Sequence, residues 1–305
     1  MSYSARMQKN HLYSILLAPR GRVRMADAGA QIAQMYLSPF DQLIGVIGDS
    51  GSGKSVLIKG MFPGLELTND DEGVNVRPLP IMDTDDQGFF RPHTYHLDIR
   101  FELGFYQLHE LAFAINAALE RGKRVIVEHF DLIHKALGKN ADLLIGVGEE
   151  LVVTRPSFFG PEPQDVYNVV YKSINYRRMA HSAEDLVEYC LSKHDRVKYS
   201  HGDVRHGFIL SFREDPKLDL AMLEEEVQDL IARDIPISFL DDNHVLIGET
   251  QHYCTSPRMH VERTSDIKNF RIYPQLLRDN ITDQYMLVGI VGFSPEVELV
   301  DINSI

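Results

Sequence analysis

Residues 48 to 55 read Gly-Asp-Ser-Gly-Ser-Gly-Lys-Ser, which fits the spacing G-x-x-x-x-G-K-[ST]. Gly48, Gly51 and Gly53 let the backbone curl, so that its N–H groups, with those of Asp49, Ser50 and Ser52, face phosphate oxygens. A helix opening near Lys54 adds its positive dipole end. Lys54 would reach the outer phosphates of a nucleoside triphosphate and Ser55 would ligate Mg²⁺, so the expected ligands are ATP and Mg²⁺. Two acidic stretches follow. The segment from Pro80 to Asp86 ends in Asp83, Asp85 and Asp86, and an acceptor hydroxyl beside a γ-phosphate needs a base in such a turn. Val125-Ile126-Val127-Glu128 places an acid at the end of an apolar run, where a metal-positioning carboxylate is wanted.

A second group of chemistry-bearing residues lies in the C-terminal half. His181 and Asp185 are four apart, and on a helix such a pair shares a face. Cys254 and His260 come later, with His252 as a spare. The four offer N, O, S and N donors, a set suited to tetrahedral zinc. Singly, each has an ordinary alternative: a helical His or Asp is usually solvated, and one Cys is usually core.

The segments GDSGSGKS, MDTDDQGFF and VIVEH together resemble the uridine-kinase-like branch of P-loop kinases, over residues 41–155. That resemblance implies phosphotransfer from ATP to a small hydroxyl substrate such as a nucleoside. It makes Asp83 or Asp86 the base and Glu128 the acid near Mg²⁺. Such kinases carry an arginine-rich lid, whose place Arg155 or the cluster Lys172, Arg177 and Arg178 would take. Residues 170–275 are similar to the second additional domain of alanyl- and threonyl-tRNA synthetases, which removes wrongly attached amino acids. MAHSAEDL and RMHVERTSDIKNF carry this likeness. His181 and His260 match the family's metal-binding positions directly. Asp185 stands where the family has a histidine, and Cys254 lies six residues before His260 rather than four, with Ser256 at the family's cysteine position. The likeness implies a metal site, hydrolysis of an aminoacyl ester, and contact with a tRNA acceptor end.

These residues need elements to hold them. Apolar runs at 43–47, 124–128, 143–147 and 151–153 predict buried strands, and 76–82 a further one. Helical spacing covers 26–36, weakened by Gly29, and 55–60 and 106–121. Alternating strands and helices predict an α/β domain with a mostly parallel sheet. The Pro-rich stretch 155–164 marks a boundary. Beyond it, helices over 182–193 and 218–233 and strands at 208–212, 236–240, 245–247, 270–273 and 286–293 predict an α+β domain. The organisation expected is a helical preamble at 1–40, the nucleotide-binding domain at 41–160, the editing-like domain at 165–275 and C-terminal strands at 276–305.

Composition narrows the partners. A chain of 305 residues predicts about two domains. A net charge of −13 argues against a broad basic surface for long duplex nucleic acid and leaves room for a local basic groove. Two cysteines exclude a disulfide framework and point to a reducing cytoplasm. No apolar run approaches the ~18 residues of a membrane span. The expected function is ATP-dependent phosphotransfer to a small molecule, with the second domain binding an aminoacyl or tRNA-derived group. The rivals are a metal-dependent hydrolase of misacylated tRNA with a regulatory nucleotide domain, and a nucleotide-gated binding protein without turnover.

Overall fold

The computed structural model describes residues 13–68, 79–82, 93–191, 198–256 and 258–293. Asp83 and Asp86 lie outside the described residues, as do residues 76–78 of the strand expected over 76–82 and the last twelve residues of the strands expected at 276–305. The described end of that expected strand, Pro80–Met82, is a 3₁₀ turn instead. Pro80 has no N–H to give to a ladder.

The chain divides into two compact units, residues 1–18 with 23–172, and 19–22 with 173–305. The boundary therefore falls later than the Pro-rich stretch suggests. Pro163 is the first residue of a 29-residue helix, Pro163–Leu191. Proline suits the first helical turn, where its missing N–H would have had no partner. The proline taken as a breaker is a helix start.

The first unit is mixed α/β around a six-stranded, mostly parallel sheet. Its elements are β1 (Ser14–Leu17), α1 (Arg22–Tyr36), β2 (Leu43–Gly48), α2 (Lys54–Met61), β3 (Thr94–Asp98), α3 (Ile99–Glu102), α4 (Leu108–Glu120), β4 (Arg124–Glu128), α5 (His134–Leu137), β5 (Leu143–Val147) and β6 (Glu150–Thr154). The order is β1-β6-β5-β2-β4-β3. Strands β5, β2, β4 and β3 run parallel, while β6 and β1 add antiparallel pairings. Strands β2, β4 and β5 are apolar on both faces because both are covered. Leu43, Ile47, Val125 and Val127 enter one core, and Ile44, Val46, Ile126 and Ile145 the other. Residues 14–17, assigned above to a helical preamble, form the edge strand β1 on β6. Helix α1 survives its glycine because it needs it. A Cβ on Gly29 would lie 2.3 Å from the Leu57 carbonyl oxygen, and one on Gly60 2.1 Å from that of Ala26. The two helices meet backbone to backbone at these glycines.

The second unit is α+β. It holds the C-terminal half of α6 (Pro163–Leu191), β7 (Tyr199–Val204), β8 (Gly207–Phe212), α7 (Leu220–Ala232), β9 (Ile237–Asp241), β10 (His244–Ile247), β11 (Thr250–Tyr253), β12 (Arg271–Ile272), β13 (Leu277–Arg278) and β14 (Tyr285–Ile290). One antiparallel sheet runs β12-β14-β8-β7 with β13 on β14, and the other runs β11-β10-β9. Phe208, Leu210 and Phe212 of β8 pack with Ala183, Leu186 and Val187 of α6 and Leu223, Val227 and Leu230 of α7. No described helix is long and apolar enough to cross a membrane.

Candidate functional site

Strand β2 delivers the glycine-rich loop, and α2 opens at Lys54. Gly51 and Gly53 sit at φ 75° and 94°, left-handed values that favour glycine. Gly48 is packed so closely that a Cβ would lie 2.6 Å from the Val147 carbonyl oxygen. Lys54 Nζ donates to the Asp49 carbonyl at 2.9 Å and lies 3.6 Å from Glu128 Oε2. Ser55 Oγ donates to Glu128 Oε1 at 3.1 Å. The parallel register of β2 on β4 sets Val46 opposite Glu128, which brings the acid to the mouth of the loop.

Glu128 is buried. Burial alone would raise its carboxyl, but the hydrogen bond from His96 and the charge of Lys54 prevail and hold it down at about 2. His96 Nε2 meets Glu128 Oε1 at 3.1 Å, and the Thr68 amide donates to His96 Nδ1 at 3.3 Å. Strand β3 supplies His96 and, opposite Glu128 in register, Asp98. Asp98 caps α3 by accepting from the Phe101 amide at 3.1 Å. Its carboxyl is raised, by burial and then by the nearby Glu128 charge. His129 follows Glu128 with φ 54°, and burial followed by the Lys54 charge lowers it to about 4. A cavity of about 320 Å³ is lined by Ser50, Lys54 and Ser55 of the loop and by Asp98, Arg100 and Glu128.

Asp98, Arg100 and His96 were not expected from the sequence. The signal for Asp98 was there in a carboxylate closing a strand and capping the next turn. TYHLD is too polar to read as a buried strand, however. Two of the basic residues expected to replace a lid, Arg155 and Arg177, are employed elsewhere. Arg155 makes a bidentate pair with Asp41, just before β2 begins and so at the far end of that strand from the loop. Arg177 is buried and donates to the Pro19 carbonyl at 2.9 Å. The cavity's own arginine is Arg100, 3.7 Å from Asp49.

In the second unit His181, Asp185, Cys254 and His260 come together, with donor atoms within 4.8 Å of one another. Helix α6 presents His181 and Asp185 one turn apart, and the segment after β11 brings Cys254 and His260. His181 Nε2 stands 2.9 Å from Cys254 Sγ, and Cys254 Sγ 3.8 Å from His260 Nε2. His260 Nε2 lies 2.7 Å from Asp185 Oδ2. The Ser256 amide donates to Cys254 Sγ at 3.4 Å, and the Val261 amide to Ser182 Oγ at 3.0 Å, which ties the segment to the helix. Burial pushes the Cys254 thiol up and His181 well down. Asp185 is held at about 2, because His181 and His260 outweigh its burial. Tetrahedral ligands about 2.0–2.3 Å from zinc stand roughly 3.4–3.6 Å apart, so the donor set suits zinc by type, while the 2.7 and 2.9 Å contacts would have to open and any separation near the 4.8 Å bound to close around an ion. His181 Nδ1 is buried without a hydrogen-bond partner among the described residues, so nothing there orients that ring through its second nitrogen.

Much of the HVERTSD run serves the fold. Thr264 Oγ1 donates to the Leu230 carbonyl and accepts from the Ile235 amide, both at 2.9 Å. Arg263 Nε donates to Asp234 Oδ1 at 2.7 Å. The run thus seals the end of α7 and leads His260 back to α6.

No protein-family model and no curated protein matches the chain. Among solved structures, the ornithine aminotransferase of Toxoplasma gondii ME49 aligns with 9% identity and a TM-score of 0.23, over 87% of this chain and 72% of that one.

Proposed function

We propose that the first unit binds ATP with Mg²⁺ and transfers a phosphoryl group to a small hydroxyl substrate, in the manner of uridine-kinase-like P-loop proteins. The observation that carries the reading is the convergence of Lys54 and Ser55 on the buried Glu128, at a cavity also lined by Asp98 and Arg100. The loop amides and Lys54 would hold the phosphates. Ser55 and Glu128 suit Mg²⁺, which when bound neutralises charge on the phosphates. Arg100 would meet the outer phosphate charge. Asp98, raised by burial and by Glu128, lines the cavity next to Glu128 and would act as the base for the hydroxyl. Asp83 and Asp86 remain rivals for that role. The test is ADP release: it should require an added hydroxyl acceptor, and release at the same rate without one would reduce the reading to ATP hydrolysis.

A second reading, favoured by the meeting of His181, Asp185, Cys254 and His260, makes the second unit a zinc-dependent hydrolase of aminoacyl esters. In it the four side chains hold the ion, which when bound positions the tRNA end. Release of amino acid from mischarged tRNA, lost on chelation, tests it.

A further inference from the structure

The donors around Asp185 extend past the four already described. Asp185 turns Oδ2 to His260 at 2.7 Å, and its other oxygen, Oδ1, faces His252 Nε2 at 3.9 Å. Glu188, three residues on along the same helical face, repeats the pattern. His201 Nδ1 holds its Oε1 at 3.2 Å, while Oε2 faces the same His252 Nε2 at 3.9 Å. Each carboxylate thus has one oxygen beside a histidine of its own, with Glu184 sharing His201, and the other oxygen 3.9 Å from His252. The histidine on the third side comes from β11, opposite Val245. Its Nε2 is buried and makes no hydrogen bond among the described residues.

The separation is informative. At 3.9 Å no hydrogen bond forms. Two ligands each about 2.1 Å from one cation stand between about 3.0 Å apart, at right angles, and about 4.2 Å apart, when opposed. The three donor atoms lie within 4.8 Å of one another, so a small inward movement encloses an ion. The charges agree. Arg20 is committed to Glu184 at 3.1 Å and Asp203 at 3.2 Å. Asp185 and Glu188 meet histidines and Tyr199. Two adjacent carboxylates thus face each other with a neutral-capable ring between them, an arrangement a divalent charge relieves.

We propose that Asp185 Oδ1, Glu188 Oε2 and His252 Nε2 hold a second divalent first-row cation, Zn²⁺ or Mn²⁺, beside the four-donor centre. Two carboxylate oxygens and one imidazole form a harder set than one containing Cys254, and so admit Mn²⁺ as well as Zn²⁺. The bridge rests on the four-donor reading, because Asp185 would span both ions with its two oxygens. The three-donor site does not.

The experiment uses the full chain, purified without a metal-affinity tag, stripped with chelator and loaded with Zn²⁺. Bound zinc is counted by elemental analysis after desalting. The wild type should hold two equivalents. His252→Ala and the near-isosteric Glu188→Gln should each keep one, and His260→Ala should keep the other. Unchanged circular dichroism in Glu188→Gln shows that its loss is local. Loading with Mn²⁺ should give an isolated-ion resonance in the wild type, from the site without Cys254, that is lost in Glu188→Gln. One equivalent in the wild type that persists in His252→Ala and Glu188→Gln overturns the second site and leaves the first intact. One equivalent lost in His252→Ala but kept in His260→Ala supports the second site and removes the first. No retained zinc overturns both.

Discussion

Glu128 is the residue on which the proposed nucleotide site turns, and its ionisation links that site to stability. Its folded value of about 2 lies below the ordinary 4.5. In acid the unfolded chain takes up a proton before the folded one does, so its contribution is complete above about pH 4.5 and is lost as the pH falls toward 2. Glu128→Gln should flatten the fall in stability between those values, as denaturant melts at stepped pH will show. Lys54→Ala should weaken ATP binding at least tenfold, about 1.4 kcal/mol, with the fold unchanged in circular dichroism; calorimetry reads it. Asp98→Asn should cut turnover by about 10²-fold or more while nearly sparing ATP affinity. Steady-state rates compared with Asp83→Asn and Asp86→Asn decide which carboxylate is the base. The loop from Gly48 to Ser55 was legible because its chemistry is written in consecutive residues. Asp98 and Arg100 were not, because only the register of β3 on β4 brings them over the loop. His181 and His260 were readable by resemblance, whereas Glu188 and His201 join the cluster only through helix and sheet geometry.

At the scale of elements, the crossing of α1 and α2 is the most exacting contact described. A methyl on Gly60 would lie 2.1 Å from a backbone oxygen, which no side-chain rotation can relieve. Gly60→Ala should therefore destabilise the first unit by about 1–3 kcal/mol despite alanine's better helix propensity. Thermal melts check this, and a neutral or stabilising result would mean that the helices part without cost. Strands β2, β4, β5 and β6 were readable as apolar runs. Two kinds of element were not. Strand β3 hides behind His96, a buried polar residue satisfied by Thr68 and Glu128. The first half of α6 hides behind Pro163, which local rules treat as an end when a helix is starting.

For the whole molecule, each unit has its own apolar cores, so each should answer to its own ligand. Saturating Mg²⁺-ATP at about 100 times its Kd adds roughly 2.7 kcal/mol to whatever binds it. Scanning calorimetry should show one transition that rises with Mg²⁺-ATP and another that falls when zinc is chelated. Lys54→Ala should abolish the first shift and leave the second, while His260→Ala should leave the first. A single transition moved equally by both ligands would contradict this. Length alone suggested two domains, but their division at residue 172, inside a continuous helix, leaves no composition change to read.

The Thr68 amide can only give a hydrogen, so His96 Nδ1 must take it, and the ring's own hydrogen sits on Nε2, aimed at Glu128 Oε1. The Ser55 hydroxyl sends its hydrogen to that same oxygen. Every proton in this relay points inward. Ser55 lines the cavity with its hydrogen already committed to Glu128, so under the proposed reading its oxygen would accept a cation without the hydroxyl first having to swing aside.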